Sequence, residues 1–154
     1  VSDDEGTIIR KAQRADVSAI VAMLSDDFLG AKREYPADDP RYLEAFDRID
    51  TDPSELLVVA ESGGEPVGTL QLSWLPGLSR GGALRAQIEG VRVRSDQRGN
   101  RLGERLVRWA VDHARDEGAV LVQLTSDLKR TDAHRFYERL GFEHTHIGMK
   151  LALS

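Results

Sequence analysis

Gln97-Arg98-Gly99-Asn100-Arg101-Leu102-Gly103 joins two unlike patterns. Before it, Gln87-Ile88-Glu89-Gly90-Val91-Arg92-Val93 reads as a strand, part of a longer one from about Ala86. After it, Leu102, Leu106, Ala110 and Ala114 recur at four-residue spacing with Val107 and Val111 beside them, which predicts an amphipathic helix from about Leu102 to Arg115. A glycine-bearing turn that opens a helix is an anion site. The first helical N–H groups lack intrahelical partners, and the helix dipole adds partial positive charge there. The stretch therefore predicts a bound phosphate or pyrophosphate. It is not a P-loop, because Arg101-Leu102-Gly103-Glu104 lacks the Gly-Lys-Ser/Thr ending. It is not a dinucleotide fingerprint, because that needs its glycines near the start of the domain and an acid about 20 positions on, and Asp116, roughly in range, falls in the wrong element.

Working outward, the rest of the chain reads as alternating elements. Thr7–Arg10 is a first strand. Asp16 is the expected N-cap of a helix carrying Val17, Ile20, Val21 and Leu24. Pro40 to Ile49 is a second helix with Tyr42, Leu43 and Phe46 on its apolar side. Leu56–Glu61 and Val67–Trp74 are strands, and Gly63-Gly64 between them signals a hairpin. Pro76-Gly77 and Gly81-Gly82 mark a loop. Ala119–Thr125 is an apolar strand, and Ala133, Phe136, Tyr137 and Leu140 give a last helix closed by Gly141. Phe142–Leu153 reads as one or two closing strands. The strand–helix–strand unit over 86–125 is a parallel crossover and the hairpin is antiparallel, so the fold class is α/β with a mixed sheet and helices on both faces.

With 154 residues, no repeat and no long linker, a single domain over 1–154 is expected. The 40% hydrophobic and 31% charged content is that of a globular protein. The chain has no cysteine, which excludes disulfides, thiolate metal sites and a cysteine nucleophile. No apolar run approaches the ~20 residues of a membrane span, and the acidic start is not a signal peptide, so a cytoplasmic protein without a membrane partner is expected. A net charge of −5 argues against a nucleic-acid partner, although a basic patch lies around residues 92–108. His144 and His146 share a strand face without a third ligand in view, so no metal is expected.

Ala133-His134-Arg135-Phe136-Tyr137-Glu138-Arg139-Leu140-Gly141-Phe142 follows the glycine turn after one strand. Together with Arg98-Gly99-Asn100-Arg101-Leu102-Gly103 it closely resembles the GNAT superfamily of N-acetyltransferases. That family pairs an Arg/Gln-x-x-Gly-x-Gly/Ala turn with an Ala-x-x-Phe-Tyr-x-x-x-Gly-Phe helix. The resemblance covers residues 86–142 closely. It implies the GNAT fold, a mostly antiparallel sheet of six to seven strands flanked by about four helices, with acetyl-CoA as cosubstrate.

The resemblance also implies the cofactor site. Backbone N–H groups of Arg98, Gly99, Asn100, Arg101, Leu102, Gly103 and Glu104 would cradle the pyrophosphate, and Val91, Arg92 and Val93 would pair with the pantetheine arm as an added strand. Arg101 stands where the family most often has glycine, so a right-handed helical φ is expected there. Arg130 stands where many members have Asn, and Arg130 or Thr131 would take over its bond. Arg101, Arg105 and Arg108 share a helix face, either as a solvated ion-paired surface or as partners of the outer phosphates.

An amine of pKa about 10.4 is neutral in only about one molecule in 2,500 at pH 7, so transfer needs a base. Glu89, two residues before Val91, is the candidate, with Gln87 able to orient water and His134 as a lesser alternative. Tyr137 matches the family tyrosine that touches the cofactor and protonates its leaving thiolate. Direct transfer without an acyl-enzyme to a primary amine of a small molecule or peptide is expected. Asp26, Asp27, Glu34, Asp38 and Asp39 fall where the family walls its acceptor site. A homodimer stays open. The alternative is a catalytically weak member that binds acyl-CoA and acts as a regulator.

Overall fold

Gly63 and Gly64 adopt φ of 59° and 80° and turn β2 (Glu55–Ser62) back onto β3 (Glu65–Leu75). Two consecutive left-handed residues match the twist of the flanking strands, which is why glycines occupy both positions. The computed structural model describes residues 6–154. Its sheet has the order β1-β2-β3-β4-β5, with β1 at Thr7–Lys11, β4 at Arg85–Val93 and β5 at Leu121–Gln123. β1 through β4 pair antiparallel, and β5 pairs parallel to β4, as the crossover pattern predicts.

The helices are α1 (Val17–Ser25), α2 (Gly30–Arg33), α3 (Pro40–Thr51), α4 (Ser79–Gly82), α5 (Leu102–Asp116) and α6 (Thr131–Arg139). α2 and α4 are single turns, so the four longer helices are those the periodicity predicts. None of the described helices is long and apolar enough to cross a membrane.

Alternation along the strands sorts side chains onto two faces. Val58, Ala60, Leu70, Leu72, Ala86 and Ile88 are buried on one face. Leu106, Val107, Ala110 and Ala114 of α5 cover it so closely that a Cβ on Gly68 would lie 2.8 Å from Leu106 Cδ1. The opposite face presents Val59 and Leu57 to Val17, Ile20 and Val21 of α1 and Phe46 of α3. α5 ends in a Schellman cap: Gly118 donates to Arg115 and Ala119 donates to Ala114, with Gly118 at φ 95°. Val120 N–H then donates to Leu84 C=O and leads the chain into β5.

The chain divides into two compact units, one ending at Gln123 and one covering Leu124–Ser154. In the second, α6 closes with the same cap. Phe142 N–H donates to Tyr137 C=O, and Gly141 N–H, at φ 98°, donates to Glu138 C=O.

Four expectations are corrected. The sheet has five strands among the described residues, not six or seven. Only Leu121–Gln123 of the predicted Ala119–Thr125 strand pairs, because β4 offers a ladder only at Arg85–Gln87. Residues 143–154 form no strand: the alternation of Ile147, Met149, Leu151 and Leu153 is strand-like, yet no ladder partner joins them, and these side chains are 86–92% exposed. Asp16 does not cap α1 with its side chain; its carboxylate turns back to accept from Gln13 N–H at 2.7 Å and from Arg10.

Candidate active site

β4 carries the decisive irregularity. Thr69 pairs with Arg92 and Gln71 with Glu89, so two steps on β3 meet three on β4. Gly90 takes up the extra residue at φ 65°, a left-handed bulge that glycine adopts without strain. The bulge changes the alternation, so Arg92 comes to the same sheet face as Glu89 and Gln87. Arg92 forms an ion pair there with Asp27 at 3.2 Å. β4 pairs with β5 only through Arg85, Ala86 and Gln87. Among the described residues, the stretch from Glu89 to Val93 therefore has no strand on that side.

A polar row crosses this face from β2 to β5. Glu55 Oε2 accepts from Gln71 Nε2 at 2.9 Å and from Ser73 Oγ at 2.7 Å. Ser73 Oγ also lies 3.5 Å from Glu89 Oε1. Gln123 Nε2 donates to Gln87 Oε1 at 3.1 Å, and Arg85 donates to Gln123 Oε1 at 3.3 Å. Glu89 is exposed, while Ser73 beneath it is buried. Sequence reasoning found Glu89 and Gln87 but missed Glu55, Gln71 and Ser73. The signal was present: Gln71 and Ser73 interrupt Leu70, Leu72 and Trp74 with strand period, and the Gly63-Gly64 turn sets their register against Glu55.

The glycine turn lies at the end of β4. A 3-10 turn over Ser95–Gln97 leads into it, and Gly99 adopts φ 91°. Arg101 adopts φ 66° and ψ 18°, left-handed and not the expected right-handed geometry. The physical reason is the entry into α5. Arg101 is the N-cap residue, and the chain reverses through it so that its C=O accepts from Arg105 N–H at 3.1 Å. An arginine meets this requirement under strain. Asn100 Oδ1 accepts from Leu102 N–H at 3.2 Å and satisfies one first-turn donor. The N–H groups of Gly103 and Glu104 belong to the same first turn, which has no intrahelical acceptors. The free first-turn N–H groups of a 15-residue helix suit an anionic ligand.

The arginines divide by role. Arg108 pairs with Glu104 at 2.9 Å, and Arg105 reaches Thr7 C=O at 3.4 Å. Arg98 bridges Val93 C=O and the backbone and carboxylate of Asp26, each at 3.4 Å. Arg101 is exposed and forms no ion pair among the described residues.

Most of the acidic loop that was expected to line an acceptor site is occupied locally. Asp26 and Asp27 meet Arg98 and Arg92, and Glu34 accepts from Tyr42 Oη at 2.9 Å. Asp39 caps α3 by accepting from Arg41 N–H and pairs with the Arg41 side chain, which holds its carboxyl down at about 2. These bonds shape the loop and leave Glu89 and Glu55 as the carboxylates on the sheet face.

Tyr137 and Arg130 stand in the second unit. Tyr137 lies in the last turn of α6, its C=O held by the Phe142 cap bond. Its ring meets Phe136 at 5.0 Å and Phe142 at 5.7 Å, both edge-on. Arg130 is the N-cap of α6, and its C=O accepts from His134 N–H at 3.1 Å. His134 Nε2 lies 2.8 Å from Asp127 C=O and His144 Nε2 lies 2.8 Å from Glu138. Among the described residues, no three His, Asp or Glu side chains gather as metal ligands.

The model of the acetyltransferase (GNAT) family matches residues 17–142. The aminoalkylphosphonate N-acetyltransferase of Salmonella typhimurium is 30% identical over 145 residues, covering 94% of this chain and 90% of that protein. Among solved structures, a protein described as a transcriptional regulator from Bacillus halodurans C-125 superposes with a TM-score of 0.92 at 44% identity, covering 96% of this chain and 99% of that one. A putative acetyltransferase from Agrobacterium tumefaciens shares the fold, with a TM-score of 0.84 at 24% identity over 94% of this chain and 99% of its own. The bulged β4, the glycine turn that opens α5 and the Phe136-Tyr137 helix thus lie within a matched family, and the chain belongs to the GNAT acetyltransferases.

Proposed function

We propose that this chain moves the acetyl group of acetyl-CoA directly to the nitrogen of a small primary amine, with Glu89 as base and Tyr137 as acid. The observation that carries the reading is the Gly90 bulge. Beside it Glu89 stands on a polar sheet face, the β4 edge from Glu89 to Val93 has no paired strand on that side among the described residues, and the chain runs on to a helix N-terminus suited to phosphates. The donors fit coenzyme A: N–H groups from Arg98 to Glu104 for its pyrophosphate and the edge of Val91–Val93 for its amide-bearing arm. Bound there, acetyl-CoA supplies an activated acetyl thioester.

The residues then divide the remaining work. Glu89, directly or through a water oriented by Gln87, takes the ammonium proton, offsetting part of a deficit of about 4.6 kcal/mol at pH 7. Backbone N–H groups beside the bulge stabilise charge on the carbonyl oxygen. Tyr137 returns a proton to the leaving sulfur. The family match across 17–142 supports reading both compact units as one acetyltransferase domain. The relative named for aminoalkylphosphonates supports a small amine over a protein acceptor.

A second reading, an acyl-CoA-binding regulator of low activity, draws on the relative described as a transcriptional regulator. One experiment separates the two: release of CoA thiol from acetyl-CoA with a panel of primary amines headed by aminoalkylphosphonates, then diamines, aminoglycosides and amino acids. Amine-dependent release supports the enzyme. Binding of acetyl-CoA without release from any amine supports the regulator.

A further inference from the structure

We infer that Ser73 and Glu55 form a proton exit for Glu89, with the Ser73 hydroxyl passing the proton taken from the acceptor on to Glu55. This inference rests on the reading of Glu89 as the base.

Three adjacent strands bring the groups together. Ser73 pairs with Glu55 on β2 and with Gln87 on β4, and Gln71 pairs with Glu89. The Ser73 hydroxyl is buried between two carboxylates, 2.7 Å from Glu55 Oε2 and 3.5 Å from Glu89 Oε1. A hydroxyl has one proton to donate and lone pairs to accept another. Its one proton can go to only one of the two carboxylates, and Glu55, at 2.7 Å against 3.5 Å, is the better-placed acceptor. Its lone pairs are left toward Glu89, whose exposed side chain closes the longer gap with a small rotation.

This arrangement is of little use to ionised Glu89, because the hydroxyl donates elsewhere. It becomes useful once Glu89 is protonated. The O–H bond of Glu89 breaks as that proton bonds to Ser73 Oγ. The original Ser73 O–H bond breaks as its proton bonds to Glu55 Oε2. Glu89 is again a carboxylate, Ser73 is unchanged, and Glu55 is a carboxylic acid. No other reactant is needed.

Gln71 fits the same scheme. Its amide donates to the same Glu55 oxygen at 2.9 Å and fixes the receiving atom in place. Glu55 is half-buried at the start of β2, so the proton reaches solvent from a point other than the one the acceptor covers. Ser73, Glu55 and Gln71 are positioning residues in this scheme, since Glu89 alone touches the acceptor.

The test uses the full chain with acetyl-CoA and the fastest amine of the panel above. Ser73→Ala and Glu55→Gln are each expected to lower kcat about tenfold, with the KM for acetyl-CoA within twofold of the unaltered protein. Ser73→Thr, which keeps the hydroxyl, is expected to restore most of kcat. The dependence of kcat on the fraction of heavy water is expected to curve in the unaltered protein, from more than one proton in flight, and to become linear in Glu55→Gln. Far-ultraviolet circular dichroism and Tm identify any variant that fails to fold; if Ser73→Ala does, the kcat and heavy-water dependence of Glu55→Gln decide. Full kcat in both Ser73→Ala and Glu55→Gln, with Glu89→Gln impaired, overturns the exit and leaves Glu89 as base. Full kcat in Glu89→Gln, or no turnover of any amine by the unaltered protein, overturns the base reading and the exit with it.

Discussion

Arg10 holds Asp16 through both guanidinium nitrogens, at 2.7 Å and 3.0 Å, and reaches Glu61 at 2.9 Å with the same side chain. Asp16 is buried and also accepts from Gln13 N–H. The Arg10 hydrogen bonds are the main cause holding its carboxyl below the usual 3.8, with the Gln13 bond adding to them and burial opposing both. The cluster ties β1 to the start of α1 and so sets the helix that covers the Val59 face.

Asp16→Asn leaves Arg10 short of a charge partner and is expected to cost about 3 kcal/mol at pH 7, a drop of roughly 10 °C in Tm. The pH dependence has a definite sign. A carboxyl depressed in the folded state contributes stability above its unfolded value, near 3.8, and loses it as pH falls through the lower folded value. The gap between the two proteins should therefore be full above about pH 5 and shrink below about pH 4. Urea unfolding at a series of pH values reads it; a gap that widens in acid would refute the assignment.

Arg101 sits at φ 66° where only glycine is free of strain. The left-handed conformation costs an ordinary residue about 1–2 kcal/mol, and glycine recovers it while adding about 0.5–1 kcal/mol of unfolded-state freedom. Arg101→Gly is thus expected to stabilise the protein by roughly 0.5 kcal/mol, whereas Arg101→Ala keeps the strain and gains nothing. The denaturant midpoint measures both. Equal stability in the two variants would show that the turn does not hold residue 101 left-handed in solution.

Much of the fold was legible because its signals are local. Gly63-Gly64 names its hairpin, and four-residue spacing names α5. Gly118 and Gly141 lie where helix caps require positive φ, although only Gly141 was recognised as one. What was missed depends on pairing between distant segments. The Gly90 bulge arises from how β4 registers against Thr69 and Gln71, and nothing near Gly90 in the sequence announces it. Glu55 and Ser73 join Glu89 only after three strands align. Asp16 looks like an N-cap by position, yet Arg10 and Gln13 claim its oxygens. At Arg101 the residue type favours a right-handed φ, while the geometry of the turn imposes a left-handed one. Ile147, Met149, Leu151 and Leu153 alternate as strand residues do, and alternation does not supply a ladder partner.

Glu89→Gln removes the proposed base with little change in size, and Glu89 is exposed, so stability should stay within about 0.5 kcal/mol. The rate should fall by about 10²- to 10⁴-fold in kcat/KM for the amine. The deficit should be greatest at low pH, where the acceptor is almost fully protonated, and smallest near the amine pKa of about 10, where the free base is abundant. A pH–rate profile for a reactive amine checks it. A profile parallel to that of the unaltered protein would remove Glu89 from the proton transfer.

Tyr137→Phe separates the phenolic proton from the ring. The ring meets Phe136 and Phe142 edge-on, and phenylalanine keeps both contacts. A thiol of pKa about 8.5 leaves fairly well without help, so the loss should be moderate, about tenfold in kcat, with the KM for acetyl-CoA little altered. The loss should also fade above about pH 8.5, where the thiolate is the stable product and needs no proton. Steady-state kinetics between neutral and alkaline pH tests both features. Full kcat at pH 7 would remove the acid role, and a raised KM with unchanged kcat would make Tyr137 a binding residue instead.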